Sequence, residues 1–496
     1  MLKIFPAKVD HPLADPKEAS RVVGELPTLE ASAALDSATA WLESLAATSE
    51  FPAEPRLDLV LQIDEAVLPH TRRQTREYLT TPRQTRAWEH RFWQINHGYW
   101  LALVAAYQAV LQHHLDRVRG SEAIRSRLAL LCARLLHACG QELKWARFRY
   151  GPIEGDFWLL AGGVYLEAAK YQVAKERVVL YANAPETTPE SEYLRVLILY
   201  ASSMDSLLPL EMEIAERLIA HLLPNFALSD EARPENVYWI DAAKPLPPTR
   251  LARIPEITPT LRLFATGVAL EDLGRLRAAI VGREALPTDI NFGGQYSPRV
   301  VLPVIDHLAV CWAPKPPMRS HERRRIRSRM AVVHGLDSIR EQLLDEGGDL
   351  DAIESWIVED VSQGGIGGHV SLVGKEWLRV GVLLGMQPQG GENWLVGVVR
   401  RFNRDTDATG SIGIETLSKT PIAMQATTNE VAIDMLLLDT PSGNGGEVRG
   451  VLTATNWEEH EPLQLEISGR RWRLFPSKLM ESGAGYIIGS YRAEAA

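Results

Sequence analysis

From about Ala31 to Ala279 the apolar residues recur at intervals of three and four. Ala38, Trp41, Leu42 and Leu45 fall on one such stripe, the spacing that gives a helix a single buried face. The same spacing predicts helices at roughly 57–68, 83–118, 121–149, 156–175, 189–205, 209–223 and 262–279. Thr188 followed by Pro189 supplies an N-cap and a first helical residue whose missing N–H is not needed there. Ser121 with Glu122 begins another helix. Leu128 to Cys139 and Leu194 to Ala201 are almost unbroken apolar tracts, which predicts two helices buried on most sides. The pattern at Trp158 to Tyr165 has no second copy, so the helices form a non-repeating bundle and not a solenoid.

Pro-rich sequence between Pro234 and Pro259 predicts an extended wrap over the bundle. A loop-like stretch at Pro287 to Pro298 and a last apolar segment, Val300 to Trp312, lead to APKPPMRS, where the character of the chain changes. Beyond it, short β-type segments alternate with Gly and Asn/Asp turns: Trp356 to Val361, Trp377 to Met386, Trp394 to Phe402 and Ser411 to Leu417. Further segments follow at Glu430 to Leu438, Val448 to Thr455, Leu463 to Phe475 and Tyr486 to Tyr491. The expected fold class is multidomain α+β: an N-terminal extension (1–30), a mostly α-helical bundle (31–313, with the wrap at 234–259), an antiparallel β-barrel (314–425), and a second small C-terminal β domain (426–496), with a diverged barrel as one option for it.

Composition narrows the function. Across 496 residues, 46% hydrophobic and 23% charged content fits globular domains. A formal net charge of −10 argues against DNA or RNA as partner, because phosphate neutralisation needs a broad surplus of Lys and Arg. Three cysteines, Cys132, Cys139 and Cys311, are too few and too scattered for a disulfide framework or zinc site. The first twenty residues carry Pro and acids where a secretory leader has its apolar region, and Tyr99 to Leu111 is too short to span a bilayer. The expectation is a cytoplasmic protein with no membrane span.

The chemistry concentrates after residue 314. HERRRIRSRM (His321 to Met330), with Arg319 upstream, places six Arg within eleven residues. On its own such a run reads as a solvated basic linker. Asp360 to Gly368, DVSQGGIGG, follows at the end of a predicted strand. The pair resembles the PilZ family, whose marks are an RxxxR segment entering a barrel and a [DN]xSxxG motif after an early strand. Asp360, Ser362 and Gly365 fill the second motif. Arg323 with Arg327 and Arg325 with Arg329 both fill the first, and the second pair is favoured because Met330 to Val333 begins a strand-like run. KEWLRVGVLLGMQ, WLVGVVRRFNR and GSIGIETL extend the resemblance over roughly Arg319 to Leu417. One departure is a long spacer from Arg329 to Asp360, with an inserted helix expected at Ser338 to Leu350.

The resemblance implies a PilZ-like barrel that binds cyclic di-GMP through Arg323, Arg324, Arg325, Arg327, Arg329, Asp360, Ser362, Gly364 and Gly365. The residue types suit that ligand. Guanidinium forks meet phosphate oxygens or the O6/N7 edge of guanine, a carboxylate accepts from guanine N1–H and N2–H, and glycines allow close backbone approach. It further implies a non-enzymatic receptor with no cofactor and no metal, in which an ordered Arg loop changes how the helical domain meets an unidentified protein partner. The alternative is a degenerate barrel that scaffolds protein contacts without ligand.

Other features carry less. GGDL at Gly347 to Leu350 lacks the acidic fourth residue and the Phe of a cyclase signature. His90 and His97 share a helical face with Trp93 and Trp100 and read as core packing, while His113 and His114 diverge on their helix. Lys144, Arg147 and Arg149 read as helix C-terminal charge compensation, and Asp205 with Glu211 to Glu216 as a solvated face. No P-loop, nucleophile elbow or dinucleotide fingerprint is present, so no catalytic residue is assigned.

Overall fold

The computed structural model describes residues 10–80, 86–118, 120–316, 322–344, 353–429, 431–441, 445–457, 461–483 and 485–496. Arg319, His321, Glu430 and the GGDL tetrapeptide lie outside the described residues. The chain divides into two compact units, one of Met1–Arg149, Ile153–Met204 and Pro209–Pro317, the other of Tyr150–Pro152, Asp205–Leu208 and Met318–Ala496. The fold class is multidomain α+β, as the hydrophobic pattern predicts.

The first unit carries α1 (Pro16–Glu25), α2 (Ala31–Ala47), α3 (Ala53–Thr80), α4 (Arg86–Leu115), α5 (Leu128–Phe148), α6 (Gly155–Lys170), α7 (Pro189–Ala201), α8 (Pro209–Leu222), α9 (Gly267–Arg283) and α10 (Pro298–Trp312). The two apolar tracts become α5 and α7, buried along most of their length. Thr188 caps α7 by accepting from the Ser191 N–H at 3.0 Å. Residues 10–30, expected as part of an extension, pack instead: Asp15 caps α1 ahead of Pro16, and Leu13, Ala19, Val22 and Leu26 are buried.

The helical reading of 262–279 is wrong at its start. Residues there alternate well enough to pair as strands, and a four-stranded sheet forms from β3 (Ala227–Ser229), β4 (Asn236–Asp241), β5 (Thr249–Arg250) and β6 (Leu261–Ala265), in the order β3-β6-β4-β5. α9 begins only after Thr266. The Pro-rich wrap at 234–259 is therefore partly sheet, with β4 paired to both β5 and β6. A short hairpin, β1 (Val178–Val179) and β2 (Glu186–Thr187), precedes it.

Charges that sequence reading assigned to the surface are buried in this unit. Lys144 of α5, 4% exposed, reaches Glu213 at 2.9 Å and Glu216 at 3.3 Å on α8. Arg195 joins Glu216 to Glu192, which receives His137 at 3.2 Å, and Arg217 pairs with Glu213 at 2.8 Å. Glu213 and Glu216 are thus no solvated face, and Lys144 does more than compensate a helix end. Opposite charges on helices that face each other can enter a core together, whereas a one-helix pattern shows each only as a polar position. Around α3, Asp64 likewise receives Arg134 at 2.7 Å and the hydroxyls of Tyr107 and Tyr181 at 2.8 and 3.1 Å.

The second unit holds two closed six-stranded antiparallel barrels. The first consists of β7 (Arg324–His334), β8 (Glu354–Ser362), β9 (Gly365–Ser371), β10 (Leu383–Pro388), β11 (Leu395–Arg404) and β12 (Thr409–Ser418), in the order β7-β8-β9-β12-β11-β10. The second consists of β13 (Ile422–Thr428), β14 (Val431–Leu437), β15 (Gly446–Leu452), β16 (Leu463–Ile467), β17 (Arg470–Ser482) and β18 (Ile487–Ala495), in the order β13-β14-β15-β18-β17-β16. Both follow the same path, first-second-third-sixth-fifth-fourth strand. The C-terminal module is a topological copy of its neighbour, and it starts at Ile422, ahead of the expected 426, because the chain turns at Lys419 to Pro421.

Several strand limits differ from the sequence reading. Residues 377–382 form turns and β10 starts at Leu383; Gly381, at φ +79, suits a turn and not a strand. Leu463 to Phe475 is a hairpin, because Ser468 and Gly469 both take positive φ. The expected helix at Ser338 to Leu350 is α11 (Leu336–Leu344), with the remainder outside the described residues. Val333, Leu336, Ile339, Leu383, Val396 and Val398 of the first barrel share one core with Leu436, Leu438, Val451, Tyr486 and Ile488 of the second.

Candidate functional site

The basic run is a strand and not a loop. From Arg324 it belongs to β7, which pairs with β8 through Arg324↔Val361, Arg325↔Asp360, Ser328↔Val358 and Arg329↔Ile357. Two bulges decide where side chains point. Ile326 and Arg327 fall in the irregularity between Arg325 and Ser328, and Glu359 in the one between Val358 and Asp360. In an even strand Asp360 would follow Trp356 and Val358 into the barrel; the extra residue turns it to the outer face. It stands opposite Gly367, and Ser362 opposite Gly365.

Residues directly opposite on paired strands share a face, so the register sets out rows on the barrel's exterior. One row runs Arg325, Asp360, Gly367, Gly413 and Arg401 across β7, β8, β9, β12 and β11. A second runs Arg329, Ile357, His369, Ser411 and Asn403, and a third holds Ser362, Gly365 and Glu415. Of the residues named from sequence, Arg325, Arg329, Asp360, Ser362 and Gly365 thus lie together on the outside. Arg324 stands opposite Val361, and Arg327 occupies the bulge. Gly364 lies in the β8–β9 turn, where its carbonyl accepts from the Thr416 N–H at 3.1 Å.

Arg323 stands just ahead of β7 and pairs with Asp360, its Nη1 lying 2.9 Å from Oδ1 and donating to Oδ2 at 3.1 Å. The Ser362 hydroxyl donates to the Gly365 carbonyl at 3.3 Å. Among the described residues no carboxylate lies within ion-pair distance of Arg324, Arg325, Arg327 or Arg329, all of which are exposed. The site therefore has unspent positive charge beside a carboxylate already held by one arginine.

Sequence reasoning missed the floor. Gly367 and Gly413 sit side by side, and a Cβ on Gly367 would come within 2.8–3.0 Å of the Asp360 carboxyl atoms. Glycines at alternate strand positions, Gly365 and Gly367, were the available signal, since they strip one face of its side chains. His369 was missed as well; it lies between Glu359 at 3.3 Å and Asp405 at 3.4 Å.

The matching corner of the second barrel is built differently. β13, the counterpart of β7, carries no arginine, and Asp439 after β14 is taken by Arg449, which meets both carboxylate oxygens at 2.8 Å. Of the two histidines read as core packing, His90 is exposed and meets Arg149. His97 stacks on Trp93 at 4.6 Å, and burial pushes its imidazole down to about 4. Among the described residues no group of three His, Cys, Asp or Glu is arranged to hold a metal ion, and no helix is long and apolar enough to cross a membrane.

A family model described as "Cyclic-di-GMP receptor FimW, N-terminal domain" matches residues 17–234. The match falls on the helical region, for which the sequence reading found no relative, and not on the barrel that carries the two motifs. No curated protein matches the chain.

Proposed function

We propose that this chain is a cytoplasmic cyclic di-GMP receptor, not an enzyme, in which a PilZ-like first barrel binds the nucleotide on its outer face and relays occupancy to a helical domain that contacts a protein partner. The observation that carries the reading is the row Arg325, Asp360, Gly367: donor fork, guanine-reading carboxylate and bare backbone in one register. The family match supports it from a separate part of the chain. Arg325 and Arg329 donate to phosphate or to guanine O6 and N7, Asp360 accepts from guanine N1–H and N2–H, and Ser362 completes the rim. Arg324 to Arg329 lie in strand β7, which supports a switch other than the ordering of an Arg loop. Nucleotide instead competes with Arg323 for Asp360, and Arg323 is the residue through which the chain enters the barrel.

Cyclic di-GMP at a hundred times its dissociation constant should stabilise the barrel unit by about 2.7 kcal/mol, read as an upward shift of one calorimetric transition; GMP at equal concentration should give far less. Absence of any shift favours the scaffold reading. Gly367→Ala should weaken binding by roughly tenfold while leaving the fold intact, since its methyl has only to displace the carboxyl of Asp360, a side chain 28% exposed. Titration calorimetry of that variant checks it, and wild-type affinity would remove the glycine floor from the site.

A further inference from the structure

The outer row ends in a third arginine. Arg401 of β11 faces Gly413, whose Cβ would lie 3.3 Å from the Arg401 Cβ, and Gly413 faces Gly367. Two glycine positions therefore separate Asp360 from Arg401 on the sheet; the Asp360 carboxyl leans over the first, which leaves Gly413 between it and the Arg401 stem. Measured along the sheet this is about 14 Å from β8 to β11, comparable to the span of a cyclic dinucleotide. Arg401 differs from its neighbour Arg400, which is fixed by Glu415 at 2.6 Å and by Glu481 at 2.7 and 2.6 Å. The Arg401 side chain is 66% exposed, and among the described residues its Nε meets a single carboxylate, that of Asp205, which is 10% exposed and also accepts from Asn403 at 3.1 Å.

We propose that Arg401 is a third ligand arginine, closing the glycine trough from the side opposite Arg325, and that Asp205 holds it in reserve until nucleotide phosphate displaces that carboxylate. The inference rests on the cyclic di-GMP reading of the same face. A phosphate over Gly413 offers the guanidinium a second anion at the same reach. Asp205 keeps Asn403 as a donor when the arginine leaves, so the exchange does not strand a bare buried carboxylate. Asp205 belongs to the short Asp205–Leu208 segment of the barrel unit, which continues directly into α8. Occupancy of the trough thus changes the charge balance of a segment joined by the chain to the helices.

The test is titration of cyclic di-GMP into the full chain. Arg401→Ala should weaken binding by at least about tenfold. Asp205→Asn, which frees the arginine and keeps the side chain's shape, should tighten binding by about threefold or more. In the Arg401→Ala background Asp205→Asn should be silent, and this double variant, which leaves no charge unpaired, replaces Arg401→Ala should the single change fail to fold. If wild type binds and Asp360→Ala abolishes binding while Arg401→Ala keeps full affinity, the third-arginine inference fails alone. If Asp205→Asn weakens binding, the reserve role fails. If wild type does not bind at all, the underlying reading fails with them.

Discussion

Truncating Asp360 to Ala should lower the affinity for cyclic di-GMP by about 2–4 kcal/mol, roughly 30- to 1,000-fold, without lowering the thermal stability of the barrel. The binding loss follows from removing an acceptor that faces two guanine donors and is itself charge-assisted. The stability is spared because Arg323, the carboxylate's ion-pair partner among the described residues, is 44% exposed and returns to water when released. Asp360→Asn should fall between the two, since an amide oxygen still accepts but no longer attracts the surrounding arginines. Arginine pairs should separate by register. Arg325→Ala with Arg329→Ala should cost more than Arg323→Ala with Arg327→Ala, because the first pair shares the outer face with Asp360 while Arg327 sits in the bulge. Because β13 of the second barrel carries no arginine to serve as the donor fork, no residual site should survive in Asp360→Ala. Calorimetry that shows undiminished binding by that variant, or a loss confined to the Arg323 and Arg327 pair, would overturn the assignment.

Much of this architecture is written in local pattern. The helical bundle, its two most buried helices and the change to β structure near residue 314 follow from apolar spacing and punctuation, which are properties of neighbouring residues. What stayed hidden depends on partners far away in the chain. β6 looked helical because the stretch 262–279 is periodic enough for either state, and only pairing with β4 selects the strand. Lys144, Glu213 and Glu216 looked superficial because each is charged, and only the meeting of α5 with α8 lets them be buried together. At the site, the motif residues were legible, but their common face was not. An even alternation from Val358 would have turned Asp360 inward; the bulge at Glu359, which has no plain sequence mark, turns it outward. The glycine floor was legible in principle, as glycines two apart in a strand, though its meaning appears only once Gly413 is known to lie beside Gly367. The common strand order of the two barrels, by contrast, needs the pairing itself.

Lys144→Met should be the most destabilising single change in the helical unit, costing about 3 kcal/mol or more, a drop of roughly 5 °C in its calorimetric transition. Methionine fills nearly the same space, so the cost is electrostatic. It leaves Glu213 with Arg217 and Glu216 with Arg195 and the Gln141 amide, two buried carboxylates short of the cation that served both. Burial alone would raise the Glu216 carboxyl, yet Lys144, Arg195 and Arg217 together hold it well below its ordinary 4.5. A carboxylate whose folded value is lowered stabilises the fold fully above its unfolded value and loses that contribution as the pH falls through the folded one. The gap between wild type and Lys144→Met should therefore be widest near neutral pH and shrink below about pH 4.5. Adding Glu213→Gln to Lys144→Met should recover part of the loss, because it removes one of the charges the first change left short. A Lys144→Met transition within 1–2 °C of wild type at neutral pH, or a gap that widens in acid, would mean that the remaining arginines satisfy both carboxylates and that the lysine is dispensable to the core.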